Sequence, residues 1–278
     1  MSTSRWSRRA TLGLAGAMLL GARSTWAAGS ASALYQARTI VTGQRDETRI
    51  PGLMRCLPDV LVRVSGDPRL AAHPKLAEFV RTPEAAVAHI GFRDLYANKK
   101  LSDEQGTRDR PYEMTVEYDP RKIDAMLAGM GARAWLGDRP RLVVFLAVKH
   151  IATSYVLSST IEAGDLQRQS FADAAWKYGM EVVIPPERAL TQAGLTLETL
   201  PATPLEKFDA LTDKSVGQLP LAGTLSWDRA ALGWIARWRI IADGREHRWG
   251  IKGVNFDAAF RNAVGGAAQI LSGNGDPA

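Results

Sequence analysis

Cysteine, histidine and long apolar runs are scarce in this chain, and each scarcity excludes a class of protein. The one cysteine, Cys56, has no partner for an intrachain disulfide, so the fold is not a disulfide scaffold. The four histidines, His73, His89, His150 and His247, stand far apart, and none has a second ligand at metal spacing. No metal is expected. After the amino-terminal segment, no stretch is long and apolar enough to span a bilayer. The motifs of zinc proteases, phosphate-binding loops and serine nucleophile elbows are missing as well. Gly129-Met130-Gly131-Ala132-Arg133-Ala134 imitates a dinucleotide fingerprint. That fingerprint follows a strand and opens a helix, whereas this one closes a helix and reads as a C-cap. No cofactor is expected.

Acid is missing from the first 33 residues, which carry Arg5, Arg8, Arg9 and Arg23. Removing those four from the formal charge of +6 leaves +2 for the rest, so the basic excess gives little support to nucleic-acid binding. The same segment has a basic start, MSTSRWSRR, then the apolar run TLGLAGAMLLGA and small residues. A helix over that run rises only about 18 Å, against a bilayer core of roughly 30 Å. The layout is that of a signal peptide over residues 1–33, with cleavage near Ala27 or Ala28, or after Ala31-Ser32-Ala33. Ser7-Arg8-Arg9-Ala10-Thr11-Leu12 also resembles a twin-arginine signal, although Thr11 stands where phenylalanine is usual. Export to the periplasm is expected, by the Sec or the twin-arginine route.

What is present is patterned. Tyr35, Ala37, Thr39 and Val41 alternate as in a half-buried strand. Residues 48–64 have helical spacing, with Leu53, Cys56, Leu57, Val60 and Val64 on one stripe; Cys56 reads as buried filler there. Pro51 suits a first turn, and Pro58 is expected to kink or split the helix. Short helices are expected near 74–80 and 83–97. Tyr112, Met114, Val116 and Tyr118 alternate with polar residues, marking a second strand. Asp119-Pro120 then opens a helix. The turn-rich stretch 135–140 separates this N-terminal module, residues 34–135, from a second, residues 136–278. There RLVVFLAVK (141–149) is apolar on both faces, as in a central strand. A helix at 162–178 and the strand EVVI (181–184) complete a β-α-β unit. Residues 187–217 read as mostly helical. An antiparallel meander follows, with Asp243-Gly244 as a hairpin turn, and Asn255 caps a last amphipathic helix. The fold class is α/β (α+β), in two small modules.

Two stretches are candidate sites. The first is the loop DEQGTRDRP, residues 103–111. Asp103 and Glu104 offer a possible acid/base pair, Asp109 a third carboxylate, and Arg108 and Arg110 an anion clamp. Sign alternation favours a solvated loop, since a polar loop gives little of the burial that shifts a catalytic pKa. The second is LGWIARWRIIADG, where Trp234 and Trp238 share one strand face with Ala236 and Ile240. Ile235, Arg237, Arg239 and Ile241 share the other. An exposed tryptophan face would stack sugar rings; the alternative is that the tryptophans are core and the arginine stems cover apolar residues.

The stretches VLVRVSGDPRL (60–70), DEQGTRDRPYEMTVEYDPRKID (103–124), WLGDRPRLVVFLAV (135–148), GMEVVIP (179–185) and LAGTLSW with Trp234 and Trp238 (221–238) resemble a bacterial family, the domain of unknown function numbered 2066. The resemblance runs from about residue 34 to 271. It implies an exported envelope protein and brings no reaction and no catalytic residues. The layout of the second half is similar to periplasmic α/β modules of TolB-like and curli-secretion-like proteins, which bind other envelope components. The resulting expectation is a periplasmic, non-catalytic binding or assembly factor. Its partners would be envelope proteins or cell-wall components and not nucleic acid, and it would have no transmembrane segment after signal cleavage. The alternative is an envelope hydrolase using the loop carboxylates.

Overall fold

The structure is a computed structural model that describes residues 32–97, 110–213 and 218–277. Residues 1–31 of the expected signal peptide and residues 103–109 of the charged loop lie outside the described residues. No helix among the described residues is long and apolar enough to cross a membrane.

The N-terminal half runs β1 (Gln36–Thr42), α1 (Asp46–Ser65), a 3-10 turn, α2 (Leu76–Phe79), β2 (Val87–Asp94), β3 (Pro111–Tyr118) and α3 (Pro120–Gly129). Its sheet has the order β1-β3-β2, antiparallel throughout. Ala37 and Val41 of β1, and Met114, Val116 and Tyr118 of β3, point inward under α1. Gly52 lets α1 lie close on them: a Cβ there would stand 2.6 Å from the Met114 methyl and 2.8 Å from Val41.

Two expectations fail in this half. The split at Pro58 does not occur, since α1 is continuous through both prolines. The carbonyl that Pro58 deprives of a partner belongs to Met54, which is exposed and can be hydrated, while Leu57, Val60 and Leu61 hold the helix to the core. The stretch read as a helix near 83–97 contains strand β2. It is an edge strand with a bulge between Val87 and His89, half-buried over most of its length, so its alternation is faint in the sequence.

The second half contains β4 (Arg141–Lys149), β5 (Ser154–Val156), α4 (Asp165–Tyr178), β6 (Glu181–Val183), α5 (Glu187–Gln192), β7 (Gln218–Asp228), β8 (Gly233–Ala242), β9 (Arg245–Val254) and α6 (Phe256–Leu271). The sheet order is β5-β4-β7-β8-β9, with β6 also on β4. The β4–β6 and β4–β7 pairs are parallel and the others antiparallel. With helices and strands in antiparallel and mixed sheets, the fold is α+β. The central strand is fully covered, as its two apolar faces require: residues 142–148 are all buried.

Local chemistry places the ends of elements. The Asp119 carboxylate accepts from the Arg121 backbone N–H at 2.8 Å, and the Asn255 side chain from that of Ala258 at 2.8 Å. Gly131, at φ +74, closes α3, so the imitation fingerprint is a helix end. Asp243 and Gly244, both at positive φ, make the tight turn between β8 and β9.

Each half supplies one sheet, yet one apolar cluster runs through both, from Leu53 and Leu57 of α1 through Phe171 and Tyr178 of α4 to Phe260 of α6. The joint at 135–140 is stitched by Arg139. Its guanidinium donates to the carbonyls of Tyr178 (2.8 Å), Trp135 (2.9 Å), Arg63 (3.0 Å) and Val64 (3.2 Å), and lies 4.1 Å over the Trp135 ring. Arg63 is buried beneath Trp176 and donates to its carbonyl. All but the Trp135 carbonyl end α1 and α4, where helix dipoles leave partial negative charge, so the cations need no carboxylate. Burial pushes both guanidiniums down to about 10, which leaves them charged at neutral pH.

Candidate functional site

The two faces of β8 receive opposite treatment. Trp234, Ala236, Trp238, Ile240 and Ala242 lie under the helices and are buried, with Trp238 2% exposed and Trp234 8%. The Trp238 ring meets Phe171 of α4 at 6.0 Å and Phe260 of α6 at 6.3 Å, both edge-on. Trp249 of β9 is on the same side and donates its indole N–H to the Asn262 carbonyl at 2.9 Å. A sugar-stacking surface on Trp234 and Trp238 needs exposed rings, so that reading is corrected: these rings are core.

The opposite face is covered over only half its width. The segment after β6 folds back in α5 and 3-10 turns. Leu190, Leu195, Leu200, Leu205 and Phe208 form a second core with Val143, Phe145, Ala147 and Ala222. Phe145 and Phe208 stack at 4.3 Å. The cover stops at β8. Beyond it lies an open groove of about 800 Å³, walled on one side by Leu200 and Pro201 and floored by β8 and β9.

Its charge follows from the strand register. Arg237 and Arg239 of β8 point into it, as do Arg248 and Lys252 of β9. Arg239 stands opposite Arg248, Arg237 opposite Gly250, and Ile235 opposite Lys252. Like charges facing each other across strands repel, and two contacts relieve the pair. Arg239 turns toward the cover and donates to the carbonyls of Leu200 (3.1 Å) and Thr203 (2.6 Å). Arg248 takes Glu246 at 2.8 Å. Burial lowers the Arg239 pKa, and the nearby charge of Arg248 adds to the shift. Arg237 and Lys252 are exposed and form no ion pair among the described residues.

Gly250 makes the notch between them. A Cβ at this position would come within 2.5 Å of the Ala236 carbonyl oxygen, so β9 keeps its register here only without a side chain. The gap leaves Arg248, Lys252 and Arg237 around an apolar floor that includes Ile235. Guanidinium forks and an ammonium beside exposed backbone are suited to carboxylate or phosphate groups. The lining includes no aspartate, glutamate, histidine or cysteine, so among the described residues this groove brings no acid/base pair to a substrate.

The residues expected from sequence are distributed otherwise. Asp103, Glu104, Arg108 and Asp109 lie outside the described residues. Arg110 does not reach the groove lining; it donates to Asp94 at 3.2 Å at the base of the β2–β3 connection. A small polar cavity of about 240 Å³ borders Trp135, Gly137, Ser65 and Asn274, beside the Arg139 stitch. Cys56 is buried, and its thiol is pushed up to about 12, first by burial and then by the Asp59 charge one turn on. Among the described residues, no group of three or more His, Cys, Asp or Glu could hold a metal. The groove residues were visible in outline: Arg237 and Arg239 alternate against the tryptophans, and Arg248, Gly250 and Lys252 repeat that period on β9. That the cover stops short was not.

With this geometry, the class of protein is an α+β fold with an open basic groove. A family model described as a domain of unknown function (DUF8605) matches residues 28–136, which bear the first sheet and its helices. The expectation of an uncharacterised domain holds there, under a different family number from 2066. No curated protein and no solved structure matches the chain.

Proposed function

We propose that this protein is an exported envelope factor that binds rather than catalyses, and that its groove takes an extended acidic segment of an envelope partner. The observation that carries this reading is the groove between β8 and β9, where Arg237 and Lys252 flank the Gly250 notch without acidic partners among the described residues. Its position also supports it: β9 ends the strand order, so an extended chain can lie along it and set side chains against alternate residues. The leader-like first 33 residues support export to the periplasm, and the resemblance to family 2066 over residues 34–271 agrees with an envelope role.

The test is titration of the full chain with a fluorescent glutamate-rich peptide, against a lysine-rich control of equal length. Binding of the acidic peptide alone, weakened by salt and at least about tenfold by R237E/K252E, is the expected result. Equal binding of both peptides, or no loss in the double variant, would reject the groove as the site.

A further inference from the structure

A separate feature sits at one end of the second sheet. Strands β4 and β7 run parallel, with Lys149 beside Ser226, so the turns that follow them emerge at the same end. Both turns hold an aliphatic side chain out in solvent: Ile151 is 60% exposed and Leu232 83%. Leu232 has φ +48, a left-handed conformation that disfavours leucine. The Asp228 carboxylate fixes the turn by accepting from the Ala231 backbone N–H at 2.7 Å.

The two tips are joined by rings. His150, next to Ile151, packs 5.8 Å from Trp227 and 5.3 Å from Trp234, the tryptophans that flank the β7–β8 turn. Trp227 is half-buried, presenting part of an indole beneath the aliphatic tips. Lys149 and Arg229 are exposed beside them and form no ion pair among the described residues, although Glu198 is within electrostatic reach of Lys149. Asp228 is occupied by its turn.

We propose that this end docks on an anionic lipid surface, with Ile151 and Leu232 entering the headgroup–acyl boundary and Lys149 and Arg229 meeting phosphates. Aliphatic groups on two turns, beside an amphipathic indole and flanked by the two cations Lys149 and Arg229, match the layers of a bilayer interface. A flat protein partner would bury a broad patch, whereas these tips are points. No spanning helix is required, because the tips reach only the boundary.

Hydrogen exchange of the full chain tests this, with vesicles of phosphatidylglycerol and phosphatidylethanolamine compared with phosphatidylcholine alone. The expected result is slowed exchange over residues 149–154 and 228–234 on the anionic vesicles, with the Asp243–Gly244 turn unchanged as an internal control. In I151S/L232N, where asparagine suits the left-handed turn, affinity read from this protection falls by about tenfold. K149E/R229E removes the preference for anionic lipid. Arg237→Ala, in the groove, leaves tip protection intact. The proposal is overturned by protection at both ends alike, by equal protection on neutral vesicles, by none on either, or by parental affinity in I151S/L232N.

Discussion

The two faces of the β7–β9 meander have nearly opposite chemistry. One presents Trp238 and Trp249 to α4 and α6, with Trp234 buried against His150 and Trp227, and is closed. The other presents Arg237, Arg239, Arg248 and Lys252 and is left open beyond Leu200 and Pro201. Burying a tryptophan gains the area of a large apolar ring, whereas burying a guanidinium requires replacing its water with fixed acceptors. Arg239 finds such acceptors at the edge of the cover, and Arg237 and Lys252, with none among the described residues, stay in solvent. The cover ends where desolvation would no longer be compensated.

The contrast can be broken from the closed side first. Trp238→Ala removes a ring held between Phe171 and Phe260, and should lower unfolding free energy by about 3–5 kcal/mol in chemical denaturation. A loss near zero would mean the helices do not close that face. Arg139→Met tests the other way of burying a cation. It leaves the carbonyls ending α1 and α4 without their donor and should cost about 2–4 kcal/mol, mostly in a lowered melting temperature.

A smaller effect is expected at Cys56. Cys56→Ser places a hydroxyl among the apolar side chains that surround it and should cost about 1–2 kcal/mol. The native thiol is itself a gauge of closure. Its pKa is raised to about 12, above the unfolded value, so it stays protonated as pH climbs through 9 and should resist thiol reagents there until denaturant is added. The stabilisation from the buried neutral thiol is complete below the unfolded pKa and is lost as pH rises toward 12. Rapid labelling of the folded chain at neutral pH would contradict a sealed interior. The smallest effect sharpens the comparison from the open side. R237A/K252A should change unfolding free energy by less than about 0.5 kcal/mol while weakening the acidic peptide. A large loss of stability would make these residues structural.

Much of this architecture was legible where the determinants are short in range. The alternation of Tyr112 to Tyr118, the Asp119 and Asn255 caps and the Asp243-Gly244 turn each place an element within a few residues. β2 was missed because an edge strand bears little burial contrast, and Pro58 misled because Met54 is exposed to water and the packing of α1 holds the helix despite a lost bond. Of the candidate site, Arg237 and Arg239 were placed on their correct shared face. Arg248, Gly250 and Lys252 joined them only through register, which the tight turn at Asp243 and Gly244 sets by pairing Ala242 with Arg245. The tips at Ile151 and Leu232 had no sequence pattern, because they meet through the parallel pairing of strands far apart in the chain, Lys149 beside Ser226.

The sequence by itself determined most of the strands and helices, β2 apart, and which side chains of the meander share a face, because periodicity and capping act over a few bonds. It left open which face of the meander would be covered and how far. Only the tertiary structure decided that, since α4, α6 and the segment after β6 reach the sheet from distant parts of the chain, and their reach sets where burial stops.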